Sequence, residues 1–241
     1  MVLKSAVPAL ALSALLALPT AASALPFELS LVLDGSSSIS AADWNLQRTG
    51  YANAIAAVVP VDGSVAISVV QFATTAAVVY PLTVIDSAAA RSALSTFFSS
   101  LAQIGGSTCI SCAITAGEGT LTGTADRSVI DVSTDGEWNV GSNPALGAGT
   151  TGTALWAVAN QADAVNVLGI GPGAVVGWHA GADSFSLTAS SFATFETTLT
   201  EKLQREVSGG NGTTVPEPAT VSLLGFGVAV LAIRRRRRGP D

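Results

Sequence analysis

Phe27-Glu28-Leu29-Ser30-Leu31-Val32-Leu33-Asp34-Gly35-Ser36-Ser37-Ser38 is the stretch on which the reading of this chain turns. Leu29, Leu31 and Leu33 alternate, and the run stops at a carboxylate followed by a glycine and three hydroxyls. That pattern predicts a strand over Phe27–Leu33 that ends in a polar turn. The period then changes. Trp44, Gln47, Tyr51, Ile55 and Val58 recur at helical spacing across Ala41–Val59, and Pro60 stops the helix.

The alternation continues down the chain. Val65–Phe72 is β-branched and apolar like a buried strand, and Ala76–Tyr80 reads as a second strand after the Thr74-Thr75 turn. Asp86 is placed to cap a helix running through Ser100, with Leu94, Phe97, Phe98 and Leu101 on its apolar side. Ser111–Leu121 and Thr153–Asp163 read as helices, and Ser128–Ser133 and Val165–Ile170 as strands. Phe185–Leu187 reads as an edge strand. Ser190–Val207 is an amphipathic helix with Phe192, Phe195, Leu199 and Leu203 on one face. Strands interleaved with helices predict an α/β fold with a mostly parallel sheet.

The composition agrees. The chain has 241 residues, enough for one or two domains, with 49% hydrophobic and 12% charged residues, so it can bury a core. Its net charge of −6 hides an asymmetry. Between Pro26 and Val215 there are five basic and 15 acidic residues, while Arg234–Arg238 form a basic run at the end. An acidic body lacks the basic face of a nucleic-acid binder and suits a hard cation.

Both ends read as addresses. Residues 1–24 have a positive start at Lys4, an apolar run from Val7 to Leu18, and the small-residue cleavage pattern Ala22-Ser23-Ala24, as in a secretory signal peptide. After the body at 26–208, residues 209–218 form a polar linker ending in Val215-Pro216-Glu217-Pro218. Residues 219–233 are apolar, somewhat short of the roughly 20 that a spanning helix needs. Residues 234–241 carry the arginines, which the positive-inside rule keeps cytoplasmic. This three-part tail resembles the PEP-CTERM sorting signal. The resemblance implies an exosortase-type processing enzyme, transient anchoring in the inner membrane, and delivery to the cell surface or exterior.

Ligands of open α/β sheets bind outside the carboxyl ends of the strands. Three polar segments map there. Asp34-x-Ser36-x-Ser38 offers one carboxylate and two hydroxyls on a turn that Gly35 lets bend. Thr108 adds a hydroxyl from Gly105-Gly106-Ser107-Thr108, and Asp135 adds a carboxylate after the Ser128–Ser133 strand. Hard oxygens without thiolate or imidazole suit Mg²⁺, with Mn²⁺ or Ca²⁺ as alternatives, and argue against zinc. Few carboxylates would leave one position open to an acidic group of a partner.

On these residues the stretch from Pro26 to Ser208 resembles a von Willebrand factor type A domain. Asp34, Ser36 and Ser38, then Thr108, then Asp135 match its metal-ion-dependent adhesion site. Gln47-Arg48-x-Gly50-Tyr51-Ala52 and Val129-Ile130-Asp131-Val132-Ser133-x-Asp135-Gly136 resemble a bacterial secreted branch of unknown function. The resemblance implies a Rossmann-like three-layer sandwich, a divalent metal, protein or matrix ligands, and no catalysis. Cys109 and Cys112 depart from the pattern. In an exported protein they suit a disulfide bracing Thr108, with a thiol–disulfide activity or two buried free thiols as alternatives.

Other residues carry less. Trp138 follows Asp135 closely and is placed either to line a ligand rim or to pack. Trp44 and Trp156 read as core, and His179 as a turn residue. Asp131, inside a strand, is expected to hydrogen-bond a neighbouring loop. The resulting expectation is an exported, non-enzymatic binding or adhesion module for a protein or extracellular polymer. A structural matrix component is the alternative.

Overall fold

The computed structural model describes residues 27–209. The signal-peptide reading of 1–24 and the sorting-tail readings from 210 onward lie outside the described residues. In chain order the elements are β1 (Phe27–Asp34), α1 (Ala41–Val58), β2 (Val65–Phe72), β3 (Ala76–Val84), α2 (Ala88–Ser100) and α3 (Ile110–Glu118). Then follow β4 (Ser128–Thr134), α4 (Ala154–Asn160), β5 (Ala164–Ile170), β6 (Ala180–Gly181), β7 (Ser186–Ala189) and α5 (Phe192–Val207).

β1 is central and buried on both faces, with Leu29, Leu31 and Leu33 on one and Glu28, Ser30, Val32 and Asp34 on the other. It pairs in parallel with β2 on one side and β4 on the other, and β5 continues the parallel run beyond β4. β3 closes one edge antiparallel to β2. At the other edge β5 meets β6 antiparallel and β7 parallel. The order β3-β2-β1-β4-β5-β6 changes direction at β1, so the β1–β4 junction is the switch point.

Strand alternation sorts the side chains into two cores. Leu29, Leu31, Leu33, Ile67, Val69 and Leu168 face one layer with Tyr51, Ile55, Phe98, Phe195 and Leu199 of α1, α2 and α5. Val32, Val70, Phe72, Ile130, Val132 and Val167 face the other with Ile110, Ile114 and Ala157 of α3 and α4. Each fully buried large side chain contributes roughly 1.5–3 kcal/mol of transfer free energy. The architecture is therefore a three-layer α/β sandwich, as the sequence predicts.

Boundaries differ in places. Ser87, not Asp86, caps α2, its hydroxyl accepting from the Ala90 N–H at 3.2 Å. β3 runs on to Val84 through Pro81, which an edge strand tolerates because its outer N–H groups need no ladder partner. α3 is Ile110–Glu118 rather than Ser111–Leu121, and Gly119 ends it. α4 is shorter than expected, with Thr153 as its cap, and the two-residue β6 is not anticipated at all.

Candidate metal centre

Asp34 is the last residue of β1 and is fully buried. Its Oδ1 accepts from the Ser36 N–H at 2.8 Å and its Oδ2 from the Thr134 hydroxyl at 2.6 Å. Burial pushes its carboxyl up to about 6 despite these bonds, and the neighbouring Asp135 adds to the rise. The backbone behind it is pinned, because Gln47 Nε2 donates to the Asp34 carbonyl at 2.9 Å.

From Asp34 the polar chain runs outward. Ser36 Oγ and Ser38 Oγ are 2.9 Å apart, and Ser38 Oγ donates to Asp135 Oδ1 at 2.9 Å. Asp135 sits one residue past β4, half-buried, and burial raises its carboxyl as well. Ser36 is buried while Ser38 is exposed, so the cluster opens to solvent on the Ser38 and Asp135 side.

The Thr108 loop is laced to the Asp34 loop by backbone. Gly105 N–H donates to the Gly35 carbonyl and Ser37 N–H to the Gly106 carbonyl, each at 2.9 Å. Gly106 N–H donates to Ser37 Oγ at 2.8 Å. Gln103 Nε2 donates to the carbonyls of Ser36 and Ile39, both at 2.9 Å. Gly106 has φ +109°, and a Cβ there would meet Thr74 Oγ1 at 2.5 Å, so only glycine fits. Thr108, itself buried, is clamped by Asn139: its N–H donates to Asn139 Oδ1 at 2.8 Å, and its carbonyl accepts from the Asn139 N–H at 3.0 Å. Three loops thus meet over the β1–β4 junction, bringing together Asp34, Ser36, Ser38 and Asp135 and holding the Thr108 loop against them.

Cys109 and Cys112 form a disulfide. It sits at the start of α3, where Cys109 Sγ accepts from the Cys112 N–H at 3.3 Å as the cap. The next link of the loop is Cys109 N–H to the Ala73 carbonyl at 2.8 Å. A shallow cavity of about 440 Å³, lined by residues such as Thr75, Ser111, Cys112 and Thr151, opens beside the disulfide rather than over the Asp34–Asp135 cluster.

Trp138 is half-buried and packs on the second core, which gives its indole a packing role. Trp44 is buried and Trp156 packs against the second core. His179 is a half-buried turn residue whose Nδ1 is 3.0 Å from Ser184 Oγ. Asp131 corrects its expectation. It faces α5, contacting Lys202, rather than a loop, because its strand position points it into the first core layer. Thr134, Gln103, Ser37 and Asn139 support the cluster without having been foreseen. Thr134 had a signal in its place beside Asp135, whereas Gln103 and Asn139 are joined to the site only by the fold.

A mostly parallel sheet between two helical layers, with polar loops gathered at the carboxyl ends of its middle strands, is a von Willebrand factor type A-like fold. The chain belongs to the family described as Protein of unknown function (DUF1194), which it matches over residues 24–211. Residues 214–238 match the PEP-CTERM protein-sorting motif, which marks an exported protein of the cell envelope. No curated protein matches the chain. Among solved structures, proximal thread matrix protein 1 from the mussel byssus is similar at TM-score 0.60 and 20% identity, covering 77% of this chain and 47% of that one. The pilus adhesin SpaC from Lactobacillus rhamnosus GG is similar in its open conformation at TM-score 0.59 and 17% identity, covering 77% of this chain and 30% of that one. A von Willebrand factor type A protein from Catenulispora acidiphila is similar at TM-score 0.55 and 15% identity, covering 76% and 43%. At such identities the likeness is one of fold, and this chain spans about half the length of the thread protein. Among the described residues no helix is long and apolar enough to cross a membrane.

Proposed function

We propose that this chain is an exported binding module that uses a divalent cation, Mg²⁺ by preference, to engage an acidic group of a protein or extracellular polymer. The observation that carries the reading is the continuous path Asp34–Ser36–Ser38–Asp135, which joins the ends of β1 and β4 through the Ser36 N–H and the Ser36 and Ser38 hydroxyls. The donor set fits the ion. Asp34 and Asp135 are neighbouring carboxylates, and the charge of Asp135 adds to the raised proton affinity of Asp34. Among the described residues no third His, Cys, Asp or Glu joins them, so the remaining donors are hydroxyls, as a hard cation prefers. Asp34, Ser36, Ser38, Thr108 and Asp135 would hold the ion. Bound there, it supplies an electrophilic position for an incoming carboxylate. Mn²⁺ and Ca²⁺ suit the same oxygens.

The chain's own residues do the positioning. Thr134 and the Ser36 N–H orient Asp34, the Gly105-Gly106 turn brings up Thr108, and the disulfide braces the far side of that loop. A structure of the mussel protein is described with a zinc-occupied adhesion motif, which supports metal binding on this fold. The module proper spans residues 26–208, with 1–24 removed on export, 209–218 as linker, 219–233 as a temporary membrane segment and 234–241 as its cytoplasmic end. An exosortase-type enzyme is the processing partner.

The test is calorimetric titration of Mg²⁺ and Mn²⁺ into the processed protein and its Asp34→Ala variant, extended into the millimolar range. Saturable binding by the parent alone is expected. A second arm measures retention on a polyuronate-coated surface with and without EDTA. Retention that EDTA and Asp34→Ala leave unchanged would replace the metal reading with that of a matrix component whose cluster only stiffens the fold.

A further inference from the structure

α5 lays an apolar face on the sheet, yet that face carries Lys202 and Glu206, one turn apart and both without solvent exposure. Opposite them, in the middle of β4, is Asp131, equally buried. The Lys202 ammonium is in direct contact with Asp131 Oδ1 and lies 2.8 Å from Glu206 Oε1. Asn166 Nδ2 donates to the same Glu206 oxygen at 2.7 Å, and Asn166 is itself held by the Phe185 N–H at 3.0 Å. The Phe185 ring lies 5.7 Å from Lys202 Nζ and carries Arg205 at 3.8 Å, which screens the cluster from water.

Two carboxylates here face one ammonium. Asp131 Oδ1 has only the Lys202 ammonium for a partner, and Asp131 Oδ2 and Glu206 Oε2 have none. Burial, then Glu206, pushes the Asp131 carboxyl up to about 7 against the pull of Lys202. With one ammonium against two carboxylates, the cluster is electrically neutral when it carries one extra proton. Stability does not account for it, since the desolvation of a buried ion pair offsets its attraction.

We propose that Lys202 and Asp131 are joined by an intramolecular isopeptide bond between Nζ and Cγ, formed with Glu206 as the proton carrier. A proton first passes from the ammonium to the ionised carboxylate, leaving an amine and two carboxylic acids with the charge of the cluster unchanged. The Nζ lone pair then attacks Asp131 Cγ and the N–C bond forms. Glu206 takes a proton from Nζ on one oxygen and returns one to the departing hydroxyl from the other. The Cγ–O bond breaks, one water leaves, and the Glu206 acid is regenerated. Nothing is oxidised or reduced.

Contact between the reacting groups replaces a bimolecular encounter, and a water-free site disfavours the reverse hydrolysis. The product also mends the polar defects. A neutral amide takes the place of a buried ion pair, one unpartnered oxygen departs, and the amide carbonyl gains the Glu206 acid as donor. Mechanically, the bond ties the last helix before the sorting tail to the strand that leads to Asp135. Tension applied at the carboxyl end then reaches the centre of the sheet without peeling α5 away.

Intact mass spectrometry of the reduced, processed protein tests this. The parent is expected one water lighter than its sequence, with Lys202→Arg and Glu206→Gln at full mass. Fragmentation is expected to place the loss on a branched peptide joining β4 to α5. A parent at full mass, with the Lys202 amine open to acylation after unfolding, overturns the proposal without need of any variant. The same loss placed at Asp34-Gly35, Asp62-Gly63 or Asp135-Gly136 overturns it too, because a succinimide there also sheds one water. A loss that persists in Glu206→Gln overturns the role given to Glu206.

Discussion

Burial raises the Asp34 carboxyl from an ordinary value of 3.8 to about 6, so the folded protein holds this proton more tightly than the unfolded chain does. In EDTA the stabilisation present at low pH is lost as pH rises through that range, by up to about 3 kcal/mol between about pH 4 and about pH 6. Urea unfolding across that window is expected to show the fall, and Asp34→Asn to make it shallower. A steeper or unchanged slope in the variant would assign the effect to another group. Thr134→Val tests the same carboxylate from its partner's side. It strips Asp34 Oδ2 of its donor and is expected to cost about 1–3 kcal/mol in urea midpoint measurements. At this scale Asp34, Ser36 and Ser38 were legible because they lie within one turn and their spacing is a local property. Asn139 was not, since its bond to Thr108 spans 31 residues and nothing in its neighbours announces it.

Among the elements, α1 packs tightly on α5 at Gly50, where a Cβ would meet Phe195 Cδ1 at 2.8 Å. Gly50→Ala is expected to push the helices apart at a cost of about 1–3 kcal/mol, read as a lowered Tm. Metal affinity should hold in that variant, because the cluster sits on the loops and not on this seam. The disulfide acts on the loops instead. Closing so short a ring restricts the unfolded chain by about 2 kcal/mol. Reduction is expected to lower stability by about that much and to weaken Mg²⁺ binding through the Thr108 loop, both followed by calorimetry. Strong periodicity made most elements visible, as with the Leu29-Leu31-Leu33 alternation and the α5 face. Ends were less visible. Asp86 and Ser87 are both good caps by type, and only the backbone angles of the folded chain select Ser87. β3 runs four residues past the expected Tyr80, and its edge position is what lets the strand continue through Pro81.

At the scale of the whole molecule the body is joined to a sorting tail. Replacing Pro216-Glu217-Pro218 is expected to leave an unprocessed form in the inner membrane, detected by fractionation and by a mass that retains residues 219–241. Identical processing of that variant would remove the sorting signal from the account. The alternation of strand and helix, the acidic body, the sorting motif at the carboxyl end and the hard-oxygen character of the cluster were determined by the sequence alone, because each depends on periodicity, composition or residues adjacent in the chain. The meeting of three loops over the β1–β4 junction, the clamp on Thr108, and the burial of Lys202 with Asp131 and Glu206 were decided only by tertiary structure. Each depends on which strand lies beside which, and on the face a side chain turns to the core, and these are set by packing across long stretches of chain.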